Sequence, residues 1–269
     1  MRKHFTELPD GSVISSIRQR KIQDAIFDIK DSINQGADGF LFHIELFDDE
    51  YRNLDTVKEL LSYTDLPVMI INYRTERDTT IEDDVKLNDF KVECVKAGAN
   101  CVDIPANSFD FNSEKSLTNS NYSFASSIPC EVSVDKEAVK MQRDVINEIH
   151  HYGGEVLVSA HIKTWLNKQQ TLDLGEVLSN RGADIIKIIN YCKCVENIPE
   201  MLDTTMQLKK KLGKKILYQP NDCYGKLLRQ IEWMFGSSMI LCHNRYTEVS
   251  LLNKPLIKDV LKAKEILKW

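Results

Sequence analysis

A single lysine lies inside a run of isoleucines, in the stretch Gly182-Ala183-Asp184-Ile185-Ile186-Lys187-Ile188-Ile189. The run is short and β-branched, which predicts a fully buried strand. Alternation along the strand would put Ile185, Lys187 and Ile189 on one side and Asp184, Ile186 and Ile188 on the other. Burial lowers the pKa of a lysine, and the neutral amine is a nucleophile for a carbonyl carbon. The ordinary alternative is a strand-end lysine whose amine reaches water.

Other reactive side chains follow short apolar runs. His43 and Glu45 are predicted on the second run, Arg74 closes the third and His161 closes the fifth. Arg229 lies in the first turns of the helix after the seventh. With the lysine they form a chemical set. An imine makes the neighbouring carbon acidic, a histidine moves protons, and arginines hold an anionic substrate, for which a carboxylate is expected. Each residue alone also fits an ordinary role as a surface ion-pair partner, a helix residue or a polar strand end.

The chain alternates apolar runs with amphipathic stretches in eight strand–helix units. The predicted strands are Val13–Ile17, Gly39–Leu46, Val68–Tyr73, Cys101–Ile104, Glu155–Ser159, Asp184–Ile189, Ile216–Tyr218 and Met239–Leu241. A Gly-Ala-Asp or Gly-Ala-Asn phrase precedes a strand three times, which marks a helix end passing directly into a strand. Eight such units predict a (β/α)8 TIM barrel of the α/β class, whose active site lies where the strands end.

We expect one domain over residues 1–269, with a loop insertion at about 105–129 that is rich in Ser and Asn. Hydrophobic residues make up 42% and charged residues 28%, values typical of a soluble globular protein. A net charge of −5 argues against nucleic acid and anionic membranes as partners. No apolar run is long enough to span a membrane, and the first residues lack a signal-peptide core.

The seven cysteines are odd in number and scattered, which favours reduced thiols in the cytoplasm. Cys192-Lys193-Cys194 is too tightly spaced for a zinc half-site, so we expect no metal. No cofactor is predicted either. The expected partner is a small-molecule keto acid, and a homodimer is an allowed assembly.

Over Val13 to Leu267 the chain resembles type I 3-dehydroquinate dehydratase, the Schiff-base dehydroquinase of the shikimate pathway. The matching phrases are Gly36-Ala37-Asp38, Tyr73-Arg74-Thr75, Ser159-Ala160-His161, the Lys187 phrase, Gly225-Lys226-Leu227-Leu228-Arg229 and Phe235-Gly236-Ser237. The Lys187 and Phe-Gly-Ser phrases are the most specific. The resemblance implies a lyase that dehydrates 3-dehydroquinate to 3-dehydroshikimate for aromatic amino acid biosynthesis.

The resemblance also assigns roles. It implies that Lys187 forms the imine and that His161 is the general acid and base. It implies that Arg229 grips the substrate carboxylate and that Arg74 lines the site. Asp78 falls where the family has a glutamate that supports the histidine.

Two substrate-binding patterns of the family are altered here. The second strand has Leu41, His43 and Glu45 in place of Glu-x-Arg-x-Asp. The family's C-terminal substrate loop corresponds to residues 247–251 here, which begin at Thr247 and read Thr-Glu-Val-Ser-Leu.

Three hypotheses follow. The first is a divergent dehydroquinase that uses His43 and Glu45 on the hydroxyl groups. The second is an aldolase-like Schiff-base lyase for another hydroxylated keto acid. The third is a non-catalytic barrel with an anion site.

Overall fold

The computed structural model describes residues 2–221 and 223–267, and within them eight parallel strands form a nearly closed barrel in the order β7-β6-β5-β4-β3-β2-β1-β8. The strands are β1 Ser12–Ile17, β2 Gly39–His43, β3 Val68–Ile71, β4 Cys101–Pro105, β5 Glu155–His161, β6 Ile185–Asn190, β7 Lys215–Pro220 and β8 Met239–Cys242. At the seam the Ser238 amide donates to the Ile216 carbonyl at 2.8 Å. The predicted TIM barrel is confirmed.

Helices cover the outside of the barrel. They are α1 Ile22–Gln35, α2 Leu54–Leu61, α3 Ile81–Lys96, α4 Ser113–Thr118, α5 Lys136–His151, α6 Lys168–Ser179, α7 Asn197–Leu212, α8 Gly225–Ile231 and α9 Ile257–Ile266. The short helix α4 lies within the segment 105–129 that we expected to be a loop. Leu117 and Phe124 of that segment are buried in the core cluster between barrel and helices, so the segment is packed structure.

Strand β2 is shorter than its sequence predicts. It ends at His43, and Glu45 lies beyond it on a 3₁₀ turn, Ile44–Leu46. The turn is closed by the Phe47 amide, which donates to the Ile44 carbonyl at 3.2 Å. The prediction that Glu45 lies on strand two is therefore wrong, because the chain leaves the sheet one residue after His43.

The three Gly-Ala-Asp or Gly-Ala-Asn phrases tie neighbouring strands together. Their glycines, Gly36, Gly98 and Gly182, all have the positive φ with which a helix turns directly into a strand. The side chains of the polar third residues then accept backbone amides of the preceding strand in space, from Val13 to Asp38, from Val68 to Asn100 and from Val156 to Asp184. These bonds set the register at the start of three parallel pairs.

Side chains of β6 alternate between the two sides of the barrel wall. Ile185 packs in the apolar barrel interior, while Ile186 and Ile188 pack between the wall and the helices. Lys187 faces the interior with Ile185 and lines a small apolar space there. Only 6% of Lys187 is exposed, so the strand is buried as predicted and the alternative of a lysine reaching water is wrong.

The N-terminal segment closes the end of the barrel opposite the strand ends. Phe5 is fully buried and packs with Leu8 against the interior cluster. The Glu155 carboxylate holds this segment by accepting the backbone amides of Phe5 at 2.6 Å and Thr6 at 3.0 Å. Separately, no helix within the described ranges combines the length and the apolar character that crossing a membrane requires.

Replacing Phe5 with alanine should leave a cavity in the floor of the barrel. We expect Phe5→Ala to lower the free energy of unfolding by ~3–5 kcal/mol, because a fully buried ring loses its contacts. Urea denaturation measures the change. Ile266→Ala, at a side chain that is 71% exposed, is the control, and equal small losses for both variants would contradict the assigned floor.

Candidate active site

The amine of Lys187 contacts a phenol and a carboxylate. Its Nζ donates to Tyr73 Oη at 2.7 Å and to Asp103 Oδ2 at 3.1 Å. Asp103 is fully buried and also accepts the Tyr73 hydroxyl at 2.6 Å and Ser159 Oγ at 2.6 Å. Lys187 is therefore buried but not in an apolar setting, because β4 places a carboxylate beside it.

The charge states of this cluster follow from its contacts. Burial alone would raise the pKa of Asp103, but the charge of Lys187 and the bonds from Ser159 and Tyr73 hold it below its usual value. Burial, reinforced by the charge of Asp103, raises the pKa of Tyr73 well above its usual value. Asp103 is thus an anion and Tyr73 a neutral phenol at neutral pH. A positive charge on Lys187, whether ammonium or iminium, has its counter-ion in place.

His161 ends β5 at the mouth of the barrel and is held by Glu131. Its Nδ1 lies 2.8 Å from Glu131 Oε2, and its ring meets the edge of the Tyr73 ring at a centroid distance of 5.6 Å. Burial would raise the pKa of Glu131, but the bond and charge of His161 hold it below its usual value. The carboxylate therefore accepts Nδ1–H, and this tautomer leaves Nε2 as the proton acceptor.

Asp78 does not support the histidine, contrary to the role implied by the resemblance. Its carboxylate accepts the Thr75 amide at 2.7 Å and the Thr75 hydroxyl at 2.8 Å, closing the turn after β3. Glu131 takes the role instead. An isolated bridge pairs Cys130 with Ile162, and the Glu131 amide donates to the His161 carbonyl at 3.1 Å, which carries the Glu131 side chain to the imidazole.

A cavity of about 260 Å³ opens above Lys187. It contains four predicted site residues and two cationic residues that we did not predict, namely Lys187, His161, His43, Arg229, Arg18 and Lys254. Arg229 is buried and donates to the carbonyls of Pro220 at 3.0 Å and Asn253 at 3.2 Å. The cavity can hold a small anionic molecule against the lysine.

Arg74 lines a neighbouring cavity of about 440 Å³ rather than the one above Lys187. Its guanidinium makes a two-pronged ion pair with the buried carboxylate of Asp84 and stacks over the Phe111 ring at 4.0 Å. Tyr73 and His161 line both cavities. Arg74 therefore does not line the cavity above Lys187, and its guanidinium is paired with Asp84.

His43 and Glu45 form a buried pair beside the main cavity. His43 Nδ1 lies 2.8 Å from Glu45 Oε1, and the Arg18 guanidinium lies 3.4 Å from His43 Nε2. Burial, and then the charge of Arg18, holds the pKa of His43 well below its usual value. Neutral His43 thus donates from Nδ1 and accepts at Nε2. Glu45 reaches the cavity only through His43.

Thr247 lies outside the lining of the main cavity. Its amide donates to Ser250 Oγ at 2.8 Å, which closes a turn. Leu251, Asn253 and Lys254, further along the same segment, provide the lining instead. The segment 247–251 therefore reaches the cavity through Leu251 rather than Thr247, and Asn253 and Lys254 follow it there.

Sequence reasoning missed several residues of this site. Asp103 and Tyr73 could have been found as polar residues near the ends of apolar strands β4 and β3, on the side that faces the barrel interior. Arg18 directly follows β1 and carries the same signal, whereas Lys254 carries none, because it lies between β8 and α9. Among the described residues, no group of three or more His, Cys, Asp or Glu side chains could hold a metal ion.

Comparison with solved structures supports the same architecture. The 3-dehydroquinate dehydratase of Geobacillus kaustophilus HTA426 superposes with a TM-score of 0.73 at 17% identity, over 97% of this chain and 91% of that one. The type I enzyme of Clostridium difficile, solved with covalently modified comenic acid, gives 0.74 at 16% identity, over 97% and 94%. An aldolase, QR15, gives 0.57 at 17% identity, over 96% and 97%. At these identities the superpositions show a shared fold.

Comparisons at the level of sequence give no further relative. No family model matches the chain, and no curated protein matches it.

The pKa of Glu45 gives a test of the buried pair. Burial raises it from 4.5 to about 7, so between these values the unfolded chain releases a proton that the folded chain keeps. The free energy of unfolding should therefore fall as pH rises through this window, by up to roughly 3 kcal/mol from this group. Glu45→Gln should remove that share of the fall.

Urea denaturation at pH 4.5 and pH 7.5 measures the difference. Glu59→Gln, at an exposed glutamate on α2, is the matched control and should keep the pH dependence of the unaltered chain. Parallel pH profiles for Glu45→Gln and the unaltered chain would contradict a shifted Glu45.

Proposed function

We propose that this chain is an imine-forming lyase that dehydrates 3-dehydroquinate or a closely similar hydroxylated keto acid. One observation carries the proposal. The Lys187 amine lies at the base of a cavity that also contains His161 and the guanidinium of Arg229. A nucleophile, a proton carrier and an anion grip around one small space are what this reaction needs.

The first half of the reaction joins the ketone to Lys187. The amine, after losing its proton, attacks the carbonyl carbon, and the carbinolamine releases its hydroxyl as water to give an iminium ion. Asp103, 3.1 Å from Nζ, faces the positive charge that develops. Tyr73 Oη, 2.7 Å from Nζ, is placed to pass protons to and from the carbinolamine.

The second half removes water from the bound substrate. His161 Nε2 takes the proton from the carbon next to the iminium, leaving an enamine. The enamine electrons then expel the β-hydroxyl, which takes that proton from His161 and departs as water. Hydrolysis of the conjugated imine consumes the water released earlier and returns the Lys187 amine. The net change is the loss of one water.

The anionic group of the substrate is assigned to Arg229. The guanidinium is buried, and a carboxylate there would be fixed with the ketone toward Lys187. Two solved structures of similar fold are described as 3-dehydroquinate dehydratases, which supports this substrate and a place in the shikimate pathway. The scattered cysteines favour the cytoplasm as the compartment.

A second candidate function is aldol-type cleavage of a hydroxyketone through the same imine. The contact of Tyr73 with Nζ favours it. A phenol beside the imine can exchange protons with the β-hydroxyl of a hydroxyketone as well as with the carbinolamine. Leu41 lines the cavity where a hydroxyl-binding glutamate is expected in the dehydratases. A solved structure of similar fold is an aldolase, which is compatible with this chemistry.

Borohydride tests the imine. Reduction in the presence of 3-dehydroquinate should fix the ketone on Lys187, and peptide mapping by mass spectrometry should find the added mass there. Lys187→Met should abolish the adduct. Lys163→Met, which removes an exposed lysine close to His161 in sequence, should keep it. An adduct spread over surface lysines, or none, would contradict the proposal.

Replacing His161 should separate imine formation from elimination. We expect His161→Gln to lower the rate of dehydration, followed by the ultraviolet absorbance of the enone, by ~10²–10⁴-fold. Borohydride trapping on Lys187 should persist, because that step needs only the amine. His151→Gln, at an exposed histidine, controls for the loss of an imidazole. Unchanged dehydration in His161→Gln would remove His161 from the mechanism.

A further inference from the structure

The cavity above Lys187 has more positive charge than a single carboxylate requires. Arg18, Lys187, Arg229 and Lys254 line it, and no carboxylate side chain does so within residues 2–221 and 223–267. The charge of Lys187 is met from below by Asp103. Arg18 and Lys254 line the space where a substrate would lie.

Lys254 is the most unusual member of this set. It is 5% exposed, and its Nζ donates to Ser16 Oγ at 2.8 Å. No carboxylate of the described residues lies within 4.0 Å of it. Burial, and then the charges of Arg18, Arg229 and Lys187, holds the pKa of Lys254 well below its usual value. An ammonium group has three donors. Burial favours loss of its proton, and an anion bound beside it would stabilise the ammonium form.

Arg18 adds a second set of free donors on the same wall. Its Nε donates to the Val249 carbonyl at 2.9 Å, and its Nη1 lies 3.2 Å from His43 Nδ1 and 3.4 Å from Nε2. A guanidinium carries five N–H groups. Because His43 is neutral, it orients Arg18 without cancelling its charge. The N–H groups that remain can bind an oxyanion in the cavity.

A buried neutral histidine holds the Lys254 segment against β1. His243 contacts the Ser16 carbonyl through Nδ1 at 3.2 Å and accepts the Leu251 amide at Nε2 at 3.2 Å. Burial, and then the charge of Lys254, lowers the pKa of His243 to about 3. Since Ser16 also binds Lys254, this histidine is a positioning residue for the ammonium group.

We infer that Arg18 and Lys254, together with Arg229, form a binding site for a phosphoryl group, and that the ketone which reaches Lys187 is a phosphate ester. This inference rests on the proposed imine function and specifies its substrate class. It also favours the second candidate function over 3-dehydroquinate, whose anionic group is a single carboxylate.

Charge and geometry both favour a phosphoryl group over a carboxylate. A phosphate monoester carries a charge of about −1.5 to −2 at neutral pH and three acceptor oxygens. A carboxylate brings one charge and two oxygens, which Arg229 alone could bind in a two-pronged pair. Beyond Arg229, Arg18 and protonated Lys254 bring two positive charges to this space. A phosphoryl dianion balances these two charges, and a carboxylate monoanion does not.

Paired ketones test the inference. Borohydride trapping on Lys187 is compared for dihydroxyacetone phosphate and dihydroxyacetone, which differ only in the phosphoryl group. We expect half-maximal labelling by the phosphate ester at a concentration at least about tenfold lower, which corresponds to about 1.4 kcal/mol of binding. Lys254→Gln and Arg18→Gln should each reduce that preference. Lys258→Gln and Arg20→Gln, at exposed cations, should keep it.

Equal labelling by the two ketones in the unaltered protein would overturn the inference and leave the imine intact. A preference that survives in both Lys254→Gln and Arg18→Gln would also overturn it. Inorganic phosphate should protect Lys187 from the phosphate ester, whereas acetate at the same concentration should not. Faster labelling by dihydroxyacetone when inorganic phosphate is added would instead assign the site to free phosphate, which contradicts the ester.

Failure of the imine function is separately visible. If borohydride traps no ketone on Lys187, including 3-dehydroquinate, the proposed function fails. Calorimetric titration with inorganic phosphate then tests whether the anion site exists. Heat of binding that is lost in Lys254→Gln supports the site, and no heat overturns it. Circular dichroism checks that the variants fold. If Lys254→Gln does not fold, the same titration of Arg18→Gln, at a partly exposed residue, replaces it.

Discussion

The contact between Lys187 and Asp103 is the constraint on which the rest of the structure depends. A cation in the centre of a barrel costs several kcal/mol unless a carboxylate meets it and the remaining oxygens are hydrogen-bonded. Strands β6 and β4 supply the pair, and Ser159 and Tyr73 occupy the other acceptor positions of Asp103. Strands β4, β5 and β6 must therefore keep their register for the amine to lie beside this carboxylate. The Gly-Ala-Asp joint before β6 sets the start of the β5–β6 pair, where Asp184 accepts the Val156 amide.

The pair also divides the barrel into two regions with different chemistry. Below it the interior is filled by aliphatic side chains and closed by Phe5. Above it the walls are cationic, and the segment after β8 contributes Lys254. In the proposed function, an anionic substrate enters from above, and its carbonyl meets the amine where the polar and apolar regions adjoin. Under this proposal, reactivity and substrate selection thus come from different elements. Strand β6 provides the amine, and the end of β1, helix α8 and the segment after β8 provide the proposed anion site.

The barrel and the burial of Lys187 could be predicted from sequence because both depend on local patterns, namely strand–helix alternation, glycines at the joints and a short β-branched run. The partners of the site residues depend on tertiary approach and could not. The resemblance pointed to Asp78 for His161, whereas Glu131 arrives through a backbone pairing beside β5. Lys254 reaches the cavity from before α9, on a segment that His243 holds. Nothing in the spacing of these residues shows that they meet.

Exchange of the ketone oxygen with labelled water tests the central claim most directly. Each cycle of imine formation and hydrolysis replaces the carbonyl oxygen, whether or not elimination follows. In water enriched in oxygen-18, the protein should accelerate label uptake into the carbonyl of 3-dehydroquinate or dihydroxyacetone phosphate, and Lys187→Met should exchange no faster than buffer. Equal acceleration by the unaltered protein and Lys187→Met would contradict an imine at Lys187.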